Sequence, residues 1–298
     1  MIILTSYKNP DIDGIAGMYA LAELYKQLNI NCEYYIFGKP QFEVDIVCRK
    51  YDIRLEGIKE FHIDDKFVLL DCNDLINANK RIKSKNIIEV IDHHNTSTKT
   101  SELINAKLSI EQVGAMATLI VEKYIQNNFQ ISEKSAILLY HAIASNTINL
   151  KAQVTTNRDK QAFKYLEKLY PTVLSRKNIC EVFAKKSIIK NIERTILSDL
   201  KVYDDNLIIG QLEITDIENF VNSNKNELLR IMNQIKETYN AKSVILNIID
   251  ILKGYNIIMF SGDNMAVKNL IVKSNLKQTG NSIKTNQIVL RKDIALTK

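Results

Sequence analysis

The 298-residue sequence predicts an α/β chain: a doubly wound, parallel-sheet N-terminal domain followed by a smaller α+β C-terminal domain. Three observations carry this. The length exceeds what one hydrophobic core usually holds. In the first half, short apolar runs alternate with segments of helical periodicity, the pattern of strands covered on both faces. In the last hundred residues that alternation gives way to a hairpin signal and a long amphipathic segment.

Ile2 to Ser6 reads as a buried strand, and Ile15, Met18, Ala22, Tyr25 and Leu28 then recur at helical spacing. Cys32 to Phe37 reads as the second strand and Phe42 to Tyr51 as a helix. Phe67 to Leu70 and Ile87 to Ile91 are two further strands, apolar apart from Glu89. Helices are expected over 112–127, 132–146, 157–169 and 174–190. The charged segment AKKSIIKNIER is either a connection or the tail of a long helix, and the expected division is 1–184, a linker at 185–194, and 195–298. Beyond it, Asp204-Asp205-Asn206 separates two strands, Lys201 to Tyr203 and Leu207 to Glu213. Thr215 and Glu218 read as a capping box opening a helix that carries Ile217, Val221, Leu228, Ile231, Ile235 and Tyr239. Strands over 242–250, 255–261 and 286–291 and a helix over 263–274 complete the expected second domain.

The net charge of +6 comes from Lys and Arg interspersed with Asp and Glu, without a long basic block. That argues against nucleic acid and fits a small anionic ligand. No apolar run approaches the roughly 20 residues of a membrane span, and the opening MIILTSYKNP lacks a signal-peptide pattern. Cys32, Cys48, Cys72 and Cys180 lack ligand-like spacing and read as free thiols of a cytoplasmic protein.

Three polar clusters follow predicted strands: Asp11 and Asp13, Asp71 and Asp74, and Asp92, His93 and His94. Ligands of open α/β sheets bind at the carboxyl ends of strands, so the topology would gather these groups at one edge. Crowded carboxylates repel unless a cation sits among them, and oxygen with imidazole donors suits Mn, Zn, Fe or Co. Each piece also has a plainer reading. Asp11-Ile12-Asp13-Gly14 alone is more often a capping turn, Asp74 is read as the N-cap of a following helix, and His93 and His94 alone divide evenly between ligand and loop roles. His62 and His141 lack such context and are read as structural.

The segments TSYKNPDIDGIAG, LLDCND and VIDHHN resemble the first three motifs of family II inorganic pyrophosphatases, members of the DHH phosphoesterase superfamily. IEQVGAMATLIVEKY resembles their Val-Gly turn and following helix, AIASNTINLKAQVTTNRDKQA their fourth motif, IIGQLEITDIENF a hairpin-to-helix segment, and VLRKDIALTK a phosphate-gripping strand. The glycine-rich motif of the superfamily's nucleases is absent from the sequence.

The resemblance implies a metal-dependent hydrolase that splits pyrophosphate with a metal-activated water, in a cleft between the domains. It implies two manganese ions, with cobalt or magnesium as alternatives. Asp11, Asp13, Asp71 and His93 match metal ligands, with Asp71 bridging. Asn146 falls at a ligand position too, offering a carbonyl oxygen where an Asp is usual. His94 matches a residue that touches substrate and helps its leaving group, so Asp71 and His94 form the implied catalytic set. Arg291 and Lys292 match the phosphate-binding pair, and Ser175-Arg176-Lys177 is read as a decoy. Tyr7 stands where a His ligand is usual, and Ser198 where a phosphate-binding Lys is usual, with Lys201 as its partial replacement. The resemblance also implies a homodimer through the N-terminal domain. The departures leave two rivals open: a non-catalytic phosphate- or nucleotide-binding relative, and a phosphodiesterase on short nucleotides.

Overall fold

A computed structural model describes residues 1–94, 103, 105–203, 207–262, 267–269, 271 and 278–295. The chain divides into two compact units: 1–150 with 154–182, and 151–153 with 183–298.

The first unit contains β1 (Ile2–Thr5), α1 (Ile12–Gln27), β2 (Cys32–Tyr35), α2 (Phe42–Lys50), β3 (Lys66–Leu70), β4 (Ile87–Asp92), β5 (Lys107–Ile110), α3 (Met116–Gln126), α4 (Glu133–Asn146), α5 (Asn157–Leu169) and α6 (Arg176–Lys186), the last running into the second unit. Its five strands are all parallel, in the order β2-β1-β3-β4-β5. In this doubly wound order the connections reverse direction at β1 and β3, and the crevice above that switch point is where such sheets bind ligands. The apolar runs LL of β3 and VI of β4 are fully buried, as a strand covered on both faces requires. β5 was not anticipated: four residues, none fully buried, give too little apolar signal. The turn expected to begin a helix at Asp74 does not; Asp74 Oδ1 accepts the amide of Ile76 at 2.9 Å and closes a turn instead. Helix α1 is buried on most sides because α3 and α4 pack over it.

His141 is fully buried on α4, with Nε2 3.2 Å from the Tyr51 hydroxyl. Burial, aided by Lys50, pulls its imidazole from 6.5 to about 3. The unfolded chain takes up this proton below pH 6.5, while the folded chain stays neutral until about 3. The stabilisation is therefore complete above 6.5 and is lost progressively as pH falls toward 3. Urea midpoints are expected to drop between pH 6.5 and 4, and His141→Gln to flatten that dependence; parallel profiles for the two proteins would contradict it.

The second unit contains α7 (Ile192–Ser198), β6 (Leu200–Tyr203), β7 (Leu207–Ile214), α8 (Ile217–Thr238), β8 (Ser243–Asp250), β9 (Tyr255–Ser261), β10 (Gln278–Thr279), β11 (Ser282–Lys284) and α9 (Arg291–Ala295). The sheet order is β10-β11-β9-β8-β7-β6, with β7 and β8 parallel across the α8 crossover and the other pairs antiparallel. The sequence places Asp204-Asp205-Asn206 and most of the expected 263–274 helix outside the described residues. Helix α8 buries Ile217, Val221, Leu228, Ile231, Met232 and Ile235 on the sheet, each worth about 1.5–3 kcal/mol for full burial. Tyr239 lies past its end and is 51% exposed.

Two local readings are corrected. The Thr215 capping box does not form: Asp216, at φ 54°, is the N-cap, and the buried Asp250 carboxylate on β8 faces the Ile217 amide at 3.4 Å. Glu218 turns outward to Lys284, at 2.5 Å. The expected strand at 286–291 is also absent. Buried asparagine side chains hold that segment in place of a ladder: Val289 N donates to Asn256 Oδ1 at 3.1 Å, and Val289 O accepts from Asn247 Nδ2 at 2.9 Å and Asn256 Nδ2 at 2.7 Å. Freed from pairing, the chain turns into α9 at Arg291.

Candidate metal centre

The three clusters converge. Asp71 directly follows β3 with a left-handed backbone (φ 55°), while its amide still donates to Ile91 O at 2.9 Å. Its carboxylate is almost fully buried, and Oδ1 accepts no hydrogen bond. His93 Nε2 lies 3.4 Å from that oxygen and 3.7 Å from Asp13 Oδ2. His93 Nδ1 is 3.1 Å from the Val113 carbonyl, which fixes Nδ1 as the protonated nitrogen. The lone pair of Nε2 is thereby aimed at the carboxylates, and that atom too is buried without a hydrogen bond.

Asp92 does more than complete a motif, and its role was missed from the sequence. Its Oδ1 accepts the amides of His93 (2.7 Å) and His94 (3.1 Å) and lies 2.8 Å from His94 Nδ1. Oδ2 is buried without a hydrogen bond. Ligand atoms of Asp71, Asp92, His93 and His94 fall within 4.8 Å of one another. The hydrogen bond to Asp92, opposed by burial and reinforced by Asp71, raises the His94 pKa. His94 remains 60% exposed at its side chain.

Asp11 and Asp13 are engaged differently. Asp11 caps α1, its Oδ1 accepting the amides of Asp13 (2.9 Å) and Gly14 (3.1 Å). Asp13 caps α3 from across the fold: Oδ1 accepts Ala117 N at 2.8 Å and Oδ2 accepts Met116 N at 2.7 Å. Ala115, at the N-cap position itself, has no side chain to do so. Asn146 Nδ2 donates to Asp13 Oδ2 at 2.6 Å, so the amide group, rather than the carbonyl, faces the carboxylate. Tyr7 Oη accepts the Asp11 amide at 3.1 Å.

Burial dominates the electrostatics. It pushes Asp71 well above the ordinary carboxylate range, with Asp11 and Asp13 adding to the rise. It pushes Asp13 up to about 6, against the pull of His93. The Tyr7 phenol is raised by burial, then by Asp11 and Asp71, and stays neutral.

A residue with no place in the sequence reading organises the rim. Asp159, fully buried on α5, accepts from Gly114 N (2.9 Å), Ala115 N (3.3 Å), Thr118 Oγ1 (2.6 Å), Thr156 N (2.7 Å) and Thr156 Oγ1 (2.7 Å). It thus fixes the turn that offers Val113 O to His93 and opens α3 beside Asp13. Gly114 is required there, since a Cβ would stand 2.6 Å from Thr147 Cγ2. The sequence signal was present as Thr156-x-x-Asp159, a capping box, and that box does form.

In the second unit, Arg291 donates through Nη1 to Asp199 O (2.7 Å) and Asp199 Oδ1 (2.9 Å), and its amide donates to Gln211 Oε1 at 3.0 Å. Lys201 is exposed on β6, and Ser198 Oγ donates to Thr195 O at 2.8 Å. The Lys292 side chain lies outside the described residues. Arg176 is bound to Asn149 at 2.5 Å and stacks over Phe163. His62 is exposed.

Carboxylate and imidazole donors, orphaned and buried together, fit a divalent cation: filling the gap would satisfy Asp71 Oδ1 and His93 Nε2 at once. The DHH family N-terminal domain matches residues 1–144, and the DHHA2 domain matches 181–294. The chain belongs to the DHH superfamily. Relatives of this DHH protein include the manganese-dependent inorganic pyrophosphatases of Methanothrix thermoacetophila, 26% identical over 98% of this chain and 94% of the relative, and of Bacillus subtilis, 26% identical over 89% and 87%. Among solved structures, a Methanococcus jannaschii protein assigned to family II inorganic pyrophosphatases superposes with a TM-score of 0.73 at 24% identity, covering 100% of this chain and 99% of that one. This likeness establishes the family II fold for both units. Among the described residues, no helix of the DHH chain is long and apolar enough to cross a membrane.

Proposed function

We propose that the chain is a manganese-dependent hydrolase of phosphoanhydride bonds, of the inorganic pyrophosphatase type. The observation that carries this is the buried, unpartnered pair Asp71 Oδ1 and His93 Nε2 at the switch point of the parallel sheet. The names of its full-length relatives supply the substrate. A bound divalent cation contributes a Lewis acid for phosphoryl oxygens and lowers the pKa of water. Asp71 and His93 would hold it, with Asp11 and Asp13 as neighbouring negative charge. Asp92 clamps His94 through Nδ1, which leaves Nε2 to meet the substrate and assist its leaving group.

Arg291 and Lys292, together with Lys201 on the edge strand β6, are our candidates for binding phosphate. Arg291→Ala is expected to weaken pyrophosphate binding about 10-fold, one charged hydrogen bond's worth, and to leave manganese content unchanged. Calorimetric affinities equal to wild type would remove Arg291 from the site. The four free thiols support a reducing, cytoplasmic setting. The edge strand β5, where Leu108 is 45% exposed, supports a homodimer through the first unit. The dispersed positive charge favours a small phosphate over nucleic acid.

A second reading, a non-catalytic phosphate- or nucleotide-binding relative, is favoured by two observations: Asn146 meets Asp13 with its amide hydrogens, and Tyr7 presents a phenol. Phosphate release from pyrophosphate, tripolyphosphate and a dinucleotide, with Mn, Mg and Co, separates the two. Pyrophosphate is expected to be the preferred substrate with manganese. Binding without turnover of any of the three would favour the second reading.

A further inference from the structure

The acidic groups of the centre are not equally available. Both oxygens of Asp13 are engaged, Oδ1 by Ala117 N and Oδ2 by Met116 N together with Asn146 Nδ2. Asp11 Oδ1 holds the first turn of α1, and Tyr7 closes on the Asp11 amide through its hydroxyl. By contrast, Asp71 Oδ1 and His93 Nε2 are buried, face each other at 3.4 Å and accept no hydrogen bond. Asp92 Oδ2, also buried without a hydrogen bond, belongs to the same cluster, so the unspent ligating atoms gather around Asp71 and His93 and away from Asp13.

We infer that this chain binds one divalent cation tightly, between Asp71 Oδ1 and His93 Nε2, and that Tyr7 and Asn146 set this stoichiometry by closing the position of a second. Two dications a few ångströms apart repel strongly and stay together only when several anionic groups surround them. A second cation beside Asp71 and Asp11 would need a further donor at position 7, where the side chain is a neutral phenol whose oxygen already accepts an amide hydrogen. A cation bridging Asp13 and residue 146 would require the Asn146 amide to flip its carbonyl oxygen toward Asp13 and give up the Nδ2 hydrogen bond, and the donor gained would be neutral. A carboxylate at 146 would instead set two negative charges against each other, an arrangement that only a cation between them relieves.

The inference rests on the proposed manganese dependence, and the test keeps the two apart. The full-length chain, stripped of metal and titrated with manganese chloride, is read by calorimetry and by electron paramagnetic resonance. Wild type is expected to take up one ion per chain and to show the six-line spectrum of an isolated manganese. Tyr7→His with Asn146→Asp is expected to tighten a second site by about 10–100-fold, giving two ions and an exchange-coupled spectrum. Two tight, coupled ions in wild type would overturn the stoichiometry and leave the proposed function standing. No tight ion in wild type would overturn both. If the double variant does not fold, the wild-type count alone decides.

Discussion

Asp71→Asn is expected to abolish tight manganese binding and, at the same time, to stabilise the metal-free protein. The two effects share a cause. Asp71 is buried, its Oδ1 accepts no hydrogen bond, and Asp11 and Asp13 raise its proton affinity further. A carboxylate whose pKa is raised by folding is destabilising when ionised, so at neutral pH it works against the metal-free fold. An amide removes that charge at constant shape, and asparagine tolerates the left-handed backbone at this position. Manganese affinity is expected to fall by about 100-fold or more, while the metal-free melting temperature rises by about 2–4 °C, the response to roughly 1 kcal/mol in a domain of this size. Thermal unfolding with and without manganese measures both. Asp11→Asn is the comparison and is expected to lose less affinity, because Asp11 already spends Oδ1 on the α1 cap. A variant at Asp71 that keeps the full manganese-induced shift would displace the centre from this residue.

Asp159→Ala carries the largest expected loss of stability. Five donors converge on its carboxylate, from the Val113–Ala115 turn, from α3 and from Thr156. Removing it leaves buried donors unpaired, each costing about 1–3 kcal/mol and not all additive. A net loss of about 3–5 kcal/mol corresponds to roughly 10 °C in melting temperature. The damage should reach the centre as well, because the same turn aims His93 through Val113 O. Manganese affinity is therefore expected to weaken although Asp159 has no contact with His93 or Asp71 in the described hydrogen bonds. A melting temperature within about 2 °C of wild type, a shift that here corresponds to at most ~1 kcal/mol, would show that water replaces the carboxylate without cost.

The first unit was legible because its strands are short, buried and flanked by chemistry. The runs ending at Leu70 and Ile91 gave both the sheet and the places where Asp71 and His93 emerge. What stayed hidden was long-range. Asp13 reads locally as part of a turn, and nothing near it announces that it caps a helix beginning at Met116. Asp159 acts forty-five residues from Gly114, although its own capping box was visible. In the second unit, Thr215 and Glu218 formed a sound local signal that Asp250, brought in by β8, overrode. The expected strand before Arg291 was replaced by side-chain hydrogen bonds from Asn247 and Asn256, which no periodicity encodes.

The hydrogen bond from Asn146 to Asp13 bears on the order of events in the life of the chain. With an acid at 146, the last turn of α4 and the start of α1 would repel until an ion arrived, and maturation would wait on supply. Here Asp13 has its hydrogen bonds supplied within the fold by two backbone amides and one side-chain amide. The newly made polypeptide can reach its native state first and acquire its ion afterwards, competing for it as a finished protein.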